Sequence, residues 1–333
     1  MKITFNGKTV ETKHGSEILD INDIQYIKDN YFNDKDKTQA LKQLNDVLKN
    51  NKFSINKIYE YYFERVASKT ILYHSKFSIY ETLQCNELIQ VFLNKIKTNP
   101  KVFNSNDIVK NFKTAIRLGG KGITAKPSNF PLKECYNLLK DYIGCNLTNG
   151  RIYIDTSCGW GVRLLASAML DINYVGFDVN SELIVKLNEL GNDIKKIKPN
   201  WNFVIFEQGS QYLNDICINK ADIMLTSPPY FNLEDYGNND YEKVDSIHGE
   251  YQYWLDNYVN PLMGNVNLYL KQGKKALINV KNFNGYTLEE DFIKYGTENG
   301  LKYCGYTTLK NNQRINDKGL VDNSEKVLIF ERL

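Results

Sequence analysis

From Arg151 onward the apolar residues of the chain collect in short runs separated by segments of helical length. Seven runs have strand character: Ile152 to Asp155, Tyr174 to Asp178, Phe203 to Phe206, Ile223 to Leu225, Ala276 to Val280, Tyr303 to Thr307 and Lys326 to Phe330. Strands alternating with helices predict an α/β architecture on a mainly parallel, doubly wound sheet. Upstream the rhythm is different. Residues 2 to 10 alternate around Asn6-Gly7, a two-residue hairpin signal. Leu41-Leu44-Leu48, Ile58-Tyr62-Val66 and Leu83-Leu88-Val91-Phe92-Ile96 then recur at helical spacing, so residues 16 to 117 read as helical. A helix from Asn106 to Leu118 is expected to end where Gly119-Gly120 supplies a left-handed turn. The next, Leu132 to Tyr142, follows Pro131 and closes at Gly144. These patterns divide the chain into a mainly helical N-terminal module, residues 1–115, and an α/β domain, residues 116–333.

Composition changes this picture little. The 333 residues leave room for a large core and a second module, and 42% hydrophobic with 24% charged residues is ordinary for a globular protein. No apolar run approaches the roughly 18 to 20 residues of a membrane span. Met1-Lys2-Ile3-Thr4-Phe5 lacks the apolar core of a signal peptide, so a cytoplasmic protein with no membrane partner is expected. Cysteines 85, 135, 145, 158, 217 and 304 show no CxxC spacing, and histidines 14, 74 and 248 lie far apart, so reduced thiols and no metal site are expected.

Charge matters once it is split by region. The net +3 divides into +8 over residues 1–150 and −5 over the remainder. The basicity peaks where Lys95, Lys97, Lys101, Lys110, Lys113, Arg117, Lys121 and Lys126 face one acid, Asp107. Such a stretch suits phosphate neutralisation and a solvated lysine-rich surface equally well.

The first strand of the sheet runs straight into Asp155-Thr156-Ser157-Cys158-Gly159-Trp160-Gly161. An acid and two glycines at a strand end let backbone approach a small molecule closely. Asp155, Ser157, Cys158, Gly159 and Gly161 are therefore candidate cofactor contacts. A dinucleotide fingerprint would need a small residue three after Gly161, where Leu164 stands, which disfavours a pyrophosphate cradle. The second strand ends in Gly176-Phe177-Asp178; Asp178 can accept both ribose hydroxyl hydrogens, with Phe177 or Val179 over an adenine face. The third strand ends in Glu207-Gln208-Gly209-Ser210, where Gln208 offers a polar group to the adenine edge. An acid after a strand is often a helix cap. Three successive strand ends with this chemistry favour a nucleoside site.

The fourth strand delivers Thr226-Ser227-Pro228-Pro229-Tyr230-Phe231. Together with the Asp155 to Gly161 loop, this segment resembles the DNA amino-methyltransferases, whose signature after that strand is Asp, Asn or Ser, then Pro-Pro, then Tyr or Phe. The resemblance extends from about Arg117 to the end and is similar to a phage and bacterial subgroup. It implies a Rossmann-like methyltransferase fold with a seven-stranded, mainly parallel sheet, S-adenosyl-L-methionine as cofactor and DNA as partner, with a restriction-modification context. Serine at the first motif position implies cytosine N4 in preference to adenine N6.

The motif also has a physical rationale of its own. An exocyclic amine is a poor nucleophile because its lone pair is delocalised into the ring. Ser227 Oγ and the Pro228 carbonyl can accept its two hydrogens and localise that lone pair, while Pro228 and Pro229 fix the backbone that carries them. Tyr230 can stack on a base flipped from the duplex. Pro-Pro as a mere loop breaker is the bland alternative, and the two upstream strand ends weigh against it.

Arg117-Leu118-Gly119-Gly120 and Pro127-Ser128-Asn129-Phe130-Pro131 resemble the segment that covers the methionine end of the cofactor, making Arg117 and Asn129 candidate carboxylate contacts; a plain helix lead-in fits Asn129-Phe130-Pro131 equally. Asn232 to Tyr241 has the composition of a closing loop or a solvated connector. Trp254 and Tyr258 suit core positions, and Asn311-Asn312-Gln313-Arg314 occupies the place where the family builds part of its base pocket. Since little chain follows the last strand, DNA contact is expected from the basic N-terminal module. Methylation of RNA or a protein amide, or a non-catalytic nucleic-acid-binding subunit, are the alternatives.

Overall fold

The computed structural model describes all residues except 15–17, 33–35, 121, 145–149, 232–233, 236–250, 310–313, 317–318 and 322–324. The expectations for the 232–241 loop, apart from two residues, and for Asn311 to Gln313 lie outside the described residues. So do Cys145, His248 and Lys121. Two compact units are present: Met1–Ala40, Lys57–Ser128 and Asn232–Gly237 form one, and Leu41–Asn56, Asn129–Phe231 and Asn238–Leu333 the other. The division therefore interleaves along the chain instead of falling at a single boundary.

The first unit opens with a hairpin, β1 (Lys2–Phe5) and β2 (Lys8–Glu11), whose turn residues Asn6 and Gly7 take φ of 46° and 73°. Both positive values are what a tight two-residue hairpin turn requires. Helices α1 (Ile21–Asn30), α5 (Ile79–Gln84), α6 (Asn86–Thr98) and α7 (Ile108–Gly119) pack around Ile27, Leu88, Ile89, Phe92 and Phe112. Ser78 begins α5 with a reciprocal capping box to Glu81, and Asp107 caps α7 by accepting from Val109 and Lys110. A short strand, β3 (Ile71–Leu72), pairs antiparallel with β8 (Glu234–Asp235), which the helical periodicity of this region does not announce. The expected left-handed turn at the end of α7 is absent. Gly120 is right-handed, with φ of −74°, and is needed for space: a Cβ there would stand 1.9 Å from the Thr124 carbonyl oxygen.

The second unit carries a seven-stranded sheet in which all seven expected strands appear: β4 (Ile152–Asp155), β5 (Asn173–Asp178), β6 (Phe203–Glu207), β7 (Ala221–Thr226), β9 (Leu270–Val280), β10 (Leu301–Leu309) and β13 (Glu325–Arg332). Their order is β10-β13-β9-β7-β4-β5-β6. β13 alone runs antiparallel to its neighbours. Between β10 and β13 lies a small hairpin, β11 (Arg314–Asn316) with β12 (Gly319–Val321). Every residue of β7 is buried, as expected of a central parallel strand covered on both faces.

From β4 the chain steps outward through α9 (Val162–Met169), β5, α10 (Ser181–Ile197) and β6, then returns to β7 on the other side of β4. The strand order thus reverses between β4 and β7. A crevice opens at such a point beyond the C-terminal strand ends, where ligands of open α/β sheets bind. One face of the sheet is covered by Trp254, Leu262, Met263, Val266 and Phe292, all essentially without solvent exposure. Burying each such side chain contributes roughly 1.5 to 3 kcal/mol. No helix among the described residues is long and apolar enough to cross a membrane.

Candidate active site

Beyond β4 the chain makes a tight loop over the sheet edge, with Gly159 and Gly161 at φ of 55° and 73°. Gly161 begins α9 in the left-handed conformation that side chains rarely adopt. Asp155 is wholly buried beneath this loop. Its Oδ2 accepts from Arg163 Nε at 2.8 Å and from the Tyr174 hydroxyl at 2.9 Å, and its Oδ1 accepts from the Ser157 N–H at 3.2 Å. Arg163 also donates to the Ser157 carbonyl and stacks over the Phe130 ring at 5.6 Å. Asp155 thereby shapes the loop from below, with both carboxylate oxygens already engaged by protein.

Cys158 is equally interior. Its N–H donates to the Phe177 carbonyl at 2.9 Å, and its thiol crowds Gly176 so closely that a Cβ on that glycine would lie 2.4 Å from Sγ. Burial pushes the Cys158 thiol well up from its ordinary range, so it stays protonated.

The ends of β4, β5, β6 and β7 enclose one cavity. Thr156 and Ser157 line it from β4, and Asp178 and Val179 from β5. Gln208 to Gln211 line it after β6, and Pro229 after β7. Burial raises the Asp178 carboxyl to about 6, against hydrogen bonds from the Asn180 and Gly159 N–H groups that pull it down. None of the lining residues is basic. A pyrophosphate would meet no counter-charge here, whereas hydroxyl donors or a cationic group would meet Asp178.

Gln208 is expected here from the sequence; Gln211 and Tyr258 line the cavity without being singled out for it. Gln208 points its polar ends at protein, donating to the Tyr212 carbonyl at 2.8 Å and accepting from Asn214 at 3.2 Å. Gln211, 8% exposed, holds a buried Oε1 without any partner. The second is Tyr258, which lies in the core as expected, 2% exposed, and lines the cavity as well. It sits on a π-helical turn, Leu255–Val259, and its hydroxyl lies 3.3 Å from Ser210 Oγ. Burial raises the Tyr258 phenol to about 12. A π turn displaces the side-chain register by one residue and frequently marks functional positions. Apolar periodicity cannot register it, because the neighbours Trp254, Leu255 and Val259 are core residues.

Ser227, Pro228, Pro229 and Tyr230 leave β7 at the edge of this cavity. Tyr230 donates its hydroxyl hydrogen to the Asn279 carbonyl at 3.0 Å and lies 3.3 Å from Ser227 Oγ. The ends of β4 and β7 are tied by Thr156 and Thr226, whose hydroxyls meet at 3.1 Å.

Asn129 precedes α8 (Leu132–Ile143) and has a buried Oδ1 with no partner. Arg117 belongs to the first unit, exposed on the last turn of α7. Much of the basic stretch in that unit is engaged internally: Lys97 pairs with Asp20 at 2.7 Å and Lys113 with Glu64 at 3.2 Å. Lys126 lies over the Tyr59 ring at 4.2 Å. Lys101, Lys110 and Arg117 remain exposed.

The chain matches no protein-family profile and no curated protein. Among solved structures it is similar to a methyltransferase from Pyrococcus furiosus, at 17% identity over 68% of this chain and 95% of the other, with a TM-score of 0.40. It is also similar to a TehB-like SAM-dependent methyltransferase from Corynebacterium glutamicum, at 15% over 60% and 88% with a TM-score of 0.38. A third is a precorrin-6y C5,15-methyltransferase from Geobacter metallireducens, at 11% over 61% and 87% with a TM-score of 0.39. Likenesses this distant assign no activity.

Proposed function

We propose that this chain is an S-adenosyl-L-methionine-dependent methyltransferase that methylates an exocyclic amino group of a DNA base, with cytosine N4 preferred. The observation that supports it most is the juxtaposition of the Ser227-Pro228-Pro229-Tyr230 turn with a nucleoside-type cavity, Pro229 belonging to both.

The cavity fits the cofactor by its donor set. Asp178 accepts ribose hydroxyls, the unpaired Gln211 Oε1 accepts from the adenine amino group, and Val179 covers the adenine face. Asn129 is not among the lining residues; its Oδ1, buried without a partner, would suit an ammonium better than a carboxylate, because an amide oxygen only accepts. When bound, S-adenosyl-L-methionine supplies an electrophilic methyl group on sulfur.

Ser227 Oγ and the Pro228 carbonyl accept the hydrogens of the target amine and localise its lone pair. Tyr230, anchored through Asn279, offers its ring to the extruded base; such stacking is worth about 1 to 3 kcal/mol, comparable with the cost of unstacking. DNA is held in part by Lys101, Lys110 and Arg117.

The test is tritium transfer from labelled cofactor to DNA, followed by mass spectrometry of the nucleosides, with Ser227→Ala as control. N4-methylcytosine that disappears in the control is the expected result. N6-methyladenine alone would correct the base, and label in RNA or protein but not DNA would overturn the substrate class.

A further inference from the structure

Because β13 runs antiparallel to β9, its first residue stands at the edge of the sheet where β9 ends, with Val327 opposite Asn279 and Lys326 opposite Val280. Glu325 is that first residue. Its Oε2 accepts from Asn279 Nδ2 at 3.0 Å. The same Nδ2 lies 2.9 Å from Tyr230 Oη and 3.3 Å from Ser227 Oγ. Asn279 is 2% exposed, and its Oδ1 is buried without a partner.

The two ends of a carboxamide are almost the same shape, and hydroxyl groups accept either end because they both donate and accept. Ser227 and Tyr230 therefore do not by themselves discriminate between the two ends. Glu325 does: a carboxylate only accepts, so it holds Nδ2 opposite it and repels Oδ1, even though this leaves Oδ1 without a partner.

We propose that Glu325 is a positioning residue for methyl transfer, which locks the Asn279 carboxamide with its amino end toward Ser227 and Tyr230. This rests on the amino-methylation reading of the Ser227 motif. The lock gives the hydroxyls one arrangement. Tyr230 spends its hydrogen on the Asn279 carbonyl, so the hydrogen in its contact with Ser227 comes from Ser227. Asn279 Nδ2 has two hydrogens, one held by Glu325 and the other shared between Tyr230 at 2.9 Å and Ser227 at 3.3 Å, so Ser227 Oγ has its own hydrogen committed and lone-pair density left for the target amine. With the amide reversed, the Ser227 hydrogen would have two acceptors, Asn279 Oδ1 and Tyr230 Oη, and the Ser227 rotor would lose its single setting.

Three variants separate this role from a merely structural one. Glu325→Gln keeps the shape but tolerates either amide orientation. Asn279→Asp combined with Glu325→Gln keeps the shape and the pairing but reverses the polarity. Glu325→Gln is expected to retain the thermal midpoint of the parent and both variants its cofactor affinity, while single-turnover transfer to DNA lacking N4-methylcytosine and N6-methyladenine falls by at least about tenfold in each. Wild-type rates in Glu325→Gln, or restoration in the double variant, would overturn the proposal. A readout independent of turnover is the side-chain amide signal of Asn279 in asparagine-labelled protein, identified by its loss in Asn279→Asp. It is expected to resist hydrogen exchange in the parent and to lose that resistance in Glu325→Ala, whereas an unprotected signal in the parent would refute the lock. If the parent methylates no base but the protected signal is present, the proposed substrate fails and the lock stands.

Discussion

Arg163 Nε meets Asp155 Oδ2 at 2.8 Å with both side chains sealed from solvent, so the loop that frames the cavity rests on a buried charge pair. Removing one partner strands the other. Arg163→Ala is expected to destabilise the fold by about 3 to 5 kcal/mol, measured by urea unfolding. Replacing both residues with apolar ones of similar volume should cost clearly less. Equal losses in the single and double variants would show that the pair contributes through packing alone.

Asp178 makes two pH dependences of opposite sign. Its carboxyl is raised from an ordinary 3.8 to about 6, so between those values the folded chain binds a proton that the unfolded chain has released. The resulting stabilisation is complete below about 4 and is lost as the pH rises through about 6. Cofactor binding runs the other way, because ribose hydroxyls require the ionised acceptor. The thermal shift produced by S-adenosyl-L-methionine should therefore grow between pH 5 and about 7, and Asp178→Asn should flatten that trend. A shift of constant size across this interval in the parent would count against ribose binding by Asp178.

Gln211 and Gln208 separate by what their amides already do. Gln211→Ala should weaken cofactor binding about tenfold by calorimetry, the loss of one hydrogen bond from an acceptor with no other partner. In Gln208→Ala the damage should appear first as lower stability of the 208–214 segment, seen as faster hydrogen exchange, since its bonds go to Tyr212 and Asn214.

For the basic stretch, the internal pairings pick out which charges to reverse. Lys101, Lys110 and Arg117 together changed to Glu should weaken DNA binding and lower its salt slope by up to about 3. Neutralising Lys97 and Lys113, which serve Asp20 and Glu64, should alter stability more than the slope. An unchanged slope in the triple variant would remove this surface from the DNA-binding proposal.

What was legible in the sequence is what local chemistry dictates. The seven strands follow from apolar runs, the cavity from polar groups at three strand ends, and Asn6-Gly7 from turn stereochemistry. Less legible were features decided by distant partners. Nothing local distinguishes Gln211 from Gln208; Asn214 and Tyr212 decide which amide stays free for a ligand. Gly120 looked like a helix terminator because glycine usually serves that way, but the approach of the Thr124 carbonyl decides it. Glu325 lies 98 residues beyond Ser227 in a strand whose reversed direction alone brings it to the same sheet edge.

The π turn at Leu255–Val259 makes chain length, rather than composition, a determinant of the site. An ordinary helix advances about 100° per residue, so excising one residue from this turn would let it relax to α geometry and swing the phenol of Tyr258 off the cavity wall with every core residue still present. Single-residue insertions and deletions are normally tolerated in loops and rejected inside helices. Here the helix already carries the insertion, and a lineage that lost it would keep its fold while surrendering the hydroxyl that meets Ser210.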